Sequence, residues 1–240
     1  IVGLNAAIQL KTAYPNARVL LLERAAIPQG ASTKSAGFAC FGSPRELLDD
    51  LQNHKPNEVW ELVAQRWEGL QRLREKIGDS NLNYQHRGGH ELFKKEDQKS
   101  FENCLEKLNI FNRVFQDITG EENVLQVKDE KIAAFGFKGI THLIENSLEG
   151  QLHPAKMIHT LQRLAQRVGV EMMYGIEVEH IESGEQHVRL RCKNGWKIKA
   201  QKVLATTNGF AKQLFPNIPV TPARNQVLVT APIAYLPFQG

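Results

Sequence analysis

The opening residues 1–23 read IVGLNAAIQLKTAYPNARVLLLE, and this stretch decides the fold class. Apolar or small residues recur at helical spacing behind Gly3, which predicts a helix over residues 3–13. Residues 14–17 have the composition of a turn. Residues 18–23 form a short, nearly continuous apolar run, typical of a strand that is buried on both faces of a parallel sheet. A helix, a turn and a buried strand in succession predict an α/β layer.

Composition narrows the class of protein. The 240 residues are 42% hydrophobic and 23% charged, which is ordinary for a folded chain of one large domain or two smaller ones. The net charge is +4 and the signs alternate along the chain, so no nucleic-acid partner is expected. No stretch approaches the ~20 apolar residues of a membrane span, so no membrane-spanning segment is expected. The three cysteines show no ligand spacing and fit a reducing, cytoplasmic setting.

The spacing of Gly3 and Glu23 matches a dinucleotide-binding unit. In such a unit a glycine-rich turn holds a pyrophosphate at a helix amino end, and an acidic residue roughly 20 positions later bonds the adenosine ribose. Gly3 fits the last glycine of G-x-G-x-x-G, in which case the first strand and both earlier glycines are lost and the chain is a fragment. Alternatively, Gly3 serves close helix–strand packing and Glu23 is a solvated strand end.

Two further features favour a nucleotide site. The first is GASTKSAG, residues 30–37, which comes shortly after the predicted strand. Its small residues let the chain pass close to a flat ligand, and its hydroxyl and N–H groups can bond phosphate oxygens. The second is Asn208–Gly209, which follows a predicted strand over residues 201–207. A flexible surface loop is the alternative interpretation of residues 30–37.

The rest of the chain alternates helical and extended patterns, with Ser43 as a predicted N-cap. Helices that bracket an extended segment indicate an inserted domain. Three strands after the last long helix predict a β-meander. The predicted helices cover residues 43–77 (two runs), 94–115 and 154–168, and the predicted extended segments cover residues 84–93, 170–174, 176–181, 187–191, 196–198, 201–207 and 226–230.

Four stretches, together about half of the chain, resemble the flavin-dependent amine oxidoreductases related to D-amino acid oxidase, glycine oxidase and sarcosine oxidase. They are IVGLNAAIQL, VLLLERAAIPQGASTKSAGFACFGS, QLHPAKMIHTLQRLAQRVGVEMMYGIEVEHIE and VLATTNGFAKQLFP. The resemblance implies a Rossmann-like FAD-binding domain with a parallel sheet and a three-stranded β-meander, made from residues 1–46 and 148–215. It also implies an inserted, incomplete mixed α+β substrate domain, made from residues 47–147 and 216–240.

The resemblance further implies FAD as the cofactor and assigns contacts to it. Gly3 would lie at the pyrophosphate, Glu23 would bind the adenosine ribose with Arg24 nearby, and Val178 would touch the adenine through its backbone. The remaining implied cofactor-binding residues, which line the phosphates, the flavin edge and the ADP moiety, are Gly30, Ala31, Ser32, Thr33, Ser35, Ala36, Gly37, Ala205 and Thr206.

The implied reaction is oxidation of an amine or amino acid. In the family, hydride passes from the carbon next to nitrogen to flavin N5, the imine hydrolyses, and oxygen or another electron acceptor reoxidises the flavin. Catalytic residues are not assigned within this chain, for which we expect weak or absent catalysis. The alternatives are a non-catalytic binding or assembly module that keeps the fold without a working flavin site and, less favoured, an NAD-dependent dehydrogenase.

Other candidate residues receive structural interpretations. His86 and His90 have a ligand spacing, but the two glycines between them argue against a helix, so no metal site is expected. Cys40 is predicted to be a small packed thiol rather than a redox group. Arg224 is interpreted as a surface arginine in preference to a contact for a substrate carboxylate.

Overall fold

A computed structural model describes residues 1–223, 226, 230, 231 and 233–237. The helices in this part of the chain are α1 (Val2–Ala13), α2 (Pro44–Asn53), α3 (Pro56–Ile77), α4 (Asp79–Leu82), α5 (Gln98–Thr119), α6 (Glu130–Ala134), α7 (Pro154–Arg167) and α8 (Ala211–Leu214). The strands are β1 (Leu20–Glu23), β2 (Phe38–Ala39), β3 (Gly89–Lys94), β4 (Leu125–Val127), β5 (Ile140–Asn146), β6 (Gly150–Gln151), β7 (Glu171–Tyr174), β8 (Val178–Ser183), β9 (Val188–Cys192) and β10 (Lys197–Ala200). Short 3-10 helices cover Lys95–Asp97 and Asn208–Phe210.

The chain forms two compact units. The first consists of residues 1–36 and 154–228, and the second of residues 37–153 and 229–240. Arg224 and most of the predicted strand over residues 226–230 lie outside the described residues. Within the described part of the chain, no helix combines the length and the apolar character that a membrane crossing requires.

The first unit is built on a parallel pair of strands. β1 pairs with β7 in register from Leu20 with Glu171 to Glu23 with Tyr174. Helices α1 and α7 pack against each other, and both bury apolar residues that recur at helical spacing. The strands β8, β9 and β10 form an antiparallel three-stranded sheet in that order. The predictions of a helix, a turn and a strand at the start of the sequence, and of a later meander, are therefore confirmed. The predicted burial of that strand on both faces is wrong, because all four residues of β1 are only partly buried.

The second unit packs helices against a small sheet. β3, β5 and β4 pair antiparallel, with β5 in the centre. Their alternating side chains place Phe93, Ile144 and Leu125 in a core shared with the aromatic residues of α5. Phe111 and Phe115 of that helix are fully buried, and Phe111 packs edge-on against Trp60 of α3. The buried aromatic cluster therefore joins α3 and α5 to the sheet.

Two further predictions fail on local structure. Residues 201–207 are not a strand, since no neighbouring strand in the described part of the chain bonds to them, and Leu204 is 70% exposed. An extended segment becomes a strand only where a partner accepts and donates its hydrogen bonds. Cys40 is an exposed residue rather than a packed one, because Ala39 and Phe41 take the inward positions on either side of it. Alternation along an extended chain turns Phe38 and Cys40 outward together.

Helix α2 begins as the sequence predicts, with Ser43 at the N-cap and Pro44 at the first helical position. The Ser43 side chain nevertheless makes no capping hydrogen bond. Pro56 opens α3 after the break at His54 and Lys55, which explains why the predicted region divides into two helices.

Removal of the Phe111 ring tests the core of the second unit. Phe111→Ala should lower the free energy of unfolding by about 3–5 kcal/mol, because a fully buried ring is lost and a cavity remains. The matched control is Ile110→Ala, whose side chain is 48% exposed on the same helix, and its cost should stay below about 1 kcal/mol. Urea unfolding followed by tryptophan fluorescence measures both. Equal losses in the two variants would contradict this core.

Candidate functional site

The amino end of helix α1 presents backbone donors. The first intrahelical hydrogen bond runs from the Asn5 N–H to the Ile1 carbonyl, at 3.0 Å, so the amides of Val2, Gly3 and Leu4 precede it. The first turn of this helix contains no acidic side chain. The helix dipole adds positive potential at the same end, so this end is suited to an anionic group.

Thr206 approaches the same helix end because residue 3 is glycine. A Cβ atom at Gly3 would lie 2.7 Å from Thr206 Oγ1, which is closer than such contacts normally come. The absence of a side chain at Gly3 thus serves close packing, which was the alternative interpretation of this residue. The same contact brings a hydroxyl group to the end of the helix where the amides of residues 2–4 lie, which are free in the sense that they have no intrahelical partner.

Ser32 adds a second hydroxyl group at this position. Its Oγ accepts a hydrogen bond from the Ile1 nitrogen, at 3.0 Å. The neighbouring Thr33 is used differently, since its hydroxyl donates to the carbonyls of Gly30 (3.1 Å) and Pro28 (3.3 Å) within its own turn. Ser32 therefore faces the helix end, whereas the Thr33 hydroxyl stabilises the loop.

Glu23 ends strand β1 and is partly exposed. Helix α1 packs on β1 and spans about 18 Å at 1.5 Å per residue. The six residues from Arg18 to Glu23 span about 20 Å when extended. Because the turn at residues 14–17 reverses the chain, Glu23 returns to the level of the amino end of α1. Its Oε1 accepts a hydrogen bond from the Ala25 N–H, at 3.0 Å, which orients the carboxylate.

The end of β1 is also bonded to the chain that follows β7. The Ile176 N–H donates to the Glu23 carbonyl and the Gly175 N–H donates to the Ala25 carbonyl, both at 3.0 Å. Strand β8 starts two residues later at Val178. The backbone of Val178 is therefore held close to the end of β1, although the two segments are far apart in the sequence.

Arg24 has an aromatic partner that the sequence patterns did not reveal. Its guanidinium lies 4.2 Å from the centre of the Phe210 ring, a cation–π contact. Phe210 lies in the short helix that follows Asn208 and Gly209. A single aromatic residue after a predicted strand carries no recognisable signal of this kind.

The other predicted residues divide between exposed and buried positions. Gly37 is buried, has a φ of +88° that favours glycine, and accepts a hydrogen bond from the Leu152 N–H at 2.8 Å. It belongs to the second unit. Ala205 is partly buried next to Thr206. The exposed residues are Gly30, Ala31, Ser35 and Ala36.

A cavity of about 410 Å³ lies in the first unit beyond the ends of β1 and β7, beside the amino-terminal half of α7. Its walls are mostly apolar, with polar groups from His159, Gln162 and Tyr174. All of the predicted cofactor residues lie in the described part of the chain, and Thr33 is the only one of them that lines this cavity. This cavity is therefore distinct from the donors at the amino end of α1.

The two histidines with a ligand spacing do not come together around a metal position. His90 lies in β3, and His86 Nε2 bonds the Ser147 carbonyl at 2.7 Å. In the described residues, no group of three or more His, Cys, Asp or Glu side chains could hold a metal ion. The three cysteines are free, with Cys104 and Cys192 buried.

Comparison with known proteins identifies the family. A family model described as FAD dependent oxidoreductase matches residues 1–239, so the chain belongs to this family. Its cofactor is FAD, as the resemblance implied, and the NAD-dependent alternative gains no support. Comparison with curated protein sequences gave no significant match.

Solved structures share the fold at low sequence identity. Glycine oxidase from Geobacillus kaustophilus is 20% identical with a TM-score of 0.59, and the match covers 89% of this chain and 55% of that one. Iminodiacetate oxidase from Chelativorans sp. BNC1 is 17% identical with a TM-score of 0.60, covering 89% and 54%. L-proline dehydrogenase from P. horikoshii is 16% identical with a TM-score of 0.63, covering 90% and 52%. The chain thus spans about half the length of these structures.

The contact between Gly3 and Thr206 can be tested by substitution. Gly3→Ala should lower the free energy of unfolding by about 1–3 kcal/mol, because the new methyl group overlaps Thr206 Oγ1. Adding Thr206→Ala removes that oxygen and should restore most of the loss. Gly30→Ala is the matched control, since a Cβ there meets nothing within 4 Å. Chemical denaturation measures all of these variants, and a Gly3→Ala protein as stable as the control would contradict the close approach.

Proposed function

We propose that the first unit binds FAD and that the chain is part of a flavoenzyme that oxidises an amine or amino acid. One observation carries this proposal: the free amides of α1 and the hydroxyls of Ser32 and Thr206 converge at one helix end, in a chain that belongs to the FAD dependent oxidoreductase family. These donors suit the pyrophosphate of FAD. A non-catalytic module is not favoured, because no observation argues for it over the chemistry of the family.

The strands within each unit support a more specific domain assignment. We assign the first unit, with its parallel pair β1–β7 and its meander, to a Rossmann-like FAD-binding domain. The second unit is assigned to an inserted mixed α+β substrate domain. The compact units divide at residues 36/37, 153/154 and 228/229, whereas the expected boundaries are 46/47, 147/148 and 215/216, which differ by ten, six and thirteen residues.

In the proposed complex each residue has a defined task. The amides of α1, with Ser32 and Thr206, hold the pyrophosphate. Glu23 accepts hydrogen bonds from the ribose hydroxyls, and the backbone of Val178 meets the adenine. When bound, FAD supplies the two-electron oxidation of the bond between carbon and nitrogen, after which water hydrolyses the imine.

The names of the matched structures guide the choice of substrate class. They name glycine, iminodiacetate and L-proline, which are all amines that carry a carboxylate. We therefore propose a small amino acid or a related secondary amine as the electron donor, with oxygen or another acceptor taking the electrons. The catalytic residues that face the flavin are not assigned within the described chain.

Substitution of Glu23 tests the cofactor site. Glu23→Gln should weaken FAD binding about 10- to 100-fold, because the charge-assisted bonds to the ribose are lost. Glu171→Gln is the matched control, since it removes a carboxylate from the adjacent strand β7, where it pairs with Arg18 at 2.8 Å. Quenching of flavin fluorescence on titration with the purified chain measures both. Equal affinity in the two variants, or no uptake of FAD by the unaltered chain, would refute the proposal.

The proposed chemistry has its own test. With FAD bound, anaerobic addition of glycine, iminodiacetate or L-proline should bleach the visible absorption of the flavin. Bound FAD that none of these amines reduces would separate cofactor binding from catalysis and would contradict oxidation of this substrate class by the chain.

A further inference from the structure

Glu149 is a carboxylic acid buried in the second unit, with 7% of its surface exposed. Its Oε1 accepts hydrogen bonds from the backbone N–H groups of Phe41 (3.1 Å) and Gly42 (3.4 Å). Its Oε2 lies against Gly89, where an added Cβ atom would collide with it. The carboxyl group thus joins three segments that are distant in the sequence.

These bonds stand next to a short pair of strands, β2 and β6, which we call the connector ladder. Phe38 pairs with Gln151 and Ala39 with Gly150. The ladder is prolonged at one end by the bond from the Leu152 N–H to the Gly37 carbonyl, at 2.8 Å. A ladder of two residues per strand has little stability of its own, so its flanking contacts decide whether it stays closed.

The connector ladder determines where the loop over residues 30–37 ends. That loop carries Ser32 and runs directly into β2, and its last residue, Gly37, is held by Leu152. On the other strand, β6 directly follows Glu149. One buried carboxyl group therefore adjoins the ladder that anchors the end of the proposed cofactor loop.

The groups that surround Glu149 give its charge little compensation. Two of its neighbours, Glu46 on α2 and Glu91 on β3, are themselves acidic. Each of them already pairs with an arginine: Glu46 with Arg66 at 2.8 Å and Glu91 with Arg45 at 2.6 Å. Cys40 and Tyr84 also lie within electrostatic range of Glu149. Burial, opposed in part by the two backbone N–H bonds, raises the pKa of Glu149 to about 7.

We propose that Glu149 is a positioning residue for the cofactor loop, whose carboxyl group fastens the Phe41–Gly42 backbone beside the connector ladder and whose proton controls how firmly the ladder stays closed. This inference rests on the proposed function for the role of the loop. When protonated, the carboxyl group fits its apolar surroundings and keeps its acceptor oxygen. When ionised, it gains hydration if the segment opens, because a buried charge without a paired cation is costly.

The sign of the pH effect follows from proton linkage. In the closed segment the pKa of Glu149 is about 7, whereas in the opened, hydrated segment it is near its ordinary value of 4.5. Closure is therefore favoured at low pH and weakens as the pH rises. Between pH 6 and pH 8, one unit on either side of about 7, the opening equilibrium should increase about 10-fold.

Hydrogen exchange on the full chain tests this inference without any cofactor. After correction for the intrinsic exchange rate at each pH, protection of the Phe41, Gly42 and Leu152 amides should fall about 10-fold from pH 6 to pH 8. In Glu149→Gln, which keeps the acceptor oxygen but cannot ionise, the protection of the three amides should not change with pH. Glu145→Gln is the matched control from the same segment, since Glu145 pairs with Lys131 at 2.6 Å, and it should keep the wild-type pH dependence.

Two outcomes would overturn the inference: constant protection in the wild type, or an equal decline in Glu149→Gln. If Glu149→Gln fails to fold, Gly89→Ala replaces it. The added methyl group displaces the carboxyl group from the opposite side, and protection should then be low at both pH values. Unaltered protection in Gly89→Ala would also overturn the inference.

FAD titration at the same two pH values separates this inference from the proposed function. FAD affinity should fall between pH 6 and pH 8 in the wild type and stay constant in Glu149→Gln. If the chain takes up no FAD at either pH, the proposed function fails, while the amide protections still decide the role of Glu149 at the ladder. If the FAD affinity is the same at both pH values while the amide protection falls, positioning of the cofactor loop by Glu149 is refuted.

Discussion

The parallel pairing of β1 with β7 is the constraint on which the first unit depends. It joins Glu23 to Tyr174 at one end of the register. In a parallel pair both strands end at the same edge, so the segments that leave them begin side by side. The loop that carries Ser32 and the turn that leads to Val178 therefore start from one place. Helix α1, packed on β1, brings its free amides to that level.

A glycine makes room for an oxygen-bearing side chain in each unit. Gly3 admits Thr206 Oγ1 at the end of α1, and Gly89 admits the carboxyl group of Glu149 beside the connector ladder. In neither case does the backbone require glycine, since neither residue has a positive φ. Glycine is needed at both positions because the side chain of a residue remote in the sequence occupies the space where a Cβ atom would lie. Gly37 differs, because its φ of +88° requires a residue without a side chain.

The chain belongs to a known family but has low sequence identity to the solved structures that share its fold. The match to the FAD dependent oxidoreductase model runs over residues 1–239, while the solved structures share at most 20% of their residues with the chain in the comparisons described above. At that distance the solved structures show the fold alone, and the cofactor follows from the family model, whereas substrate contacts change with individual side chains. The chain also spans about half of each of those structures.

The sequence by itself determined the elements whose signals are local. The helical spacing of α1 and α7, the apolar run of β1 and the alternation of the meander strands all follow from repeats along the chain. The tertiary structure alone decided which extended segments found partners: residues 201–207 did not, and Cys40 turned outward because Ala39 and Phe41 took the inward positions. It also decided that an acid next to a glycine, Glu149, is buried rather than solvated. The physical reason is that periodicity is a property of neighbours in the sequence, whereas burial and hydrogen bonding depend on residues that only the folded chain brings together.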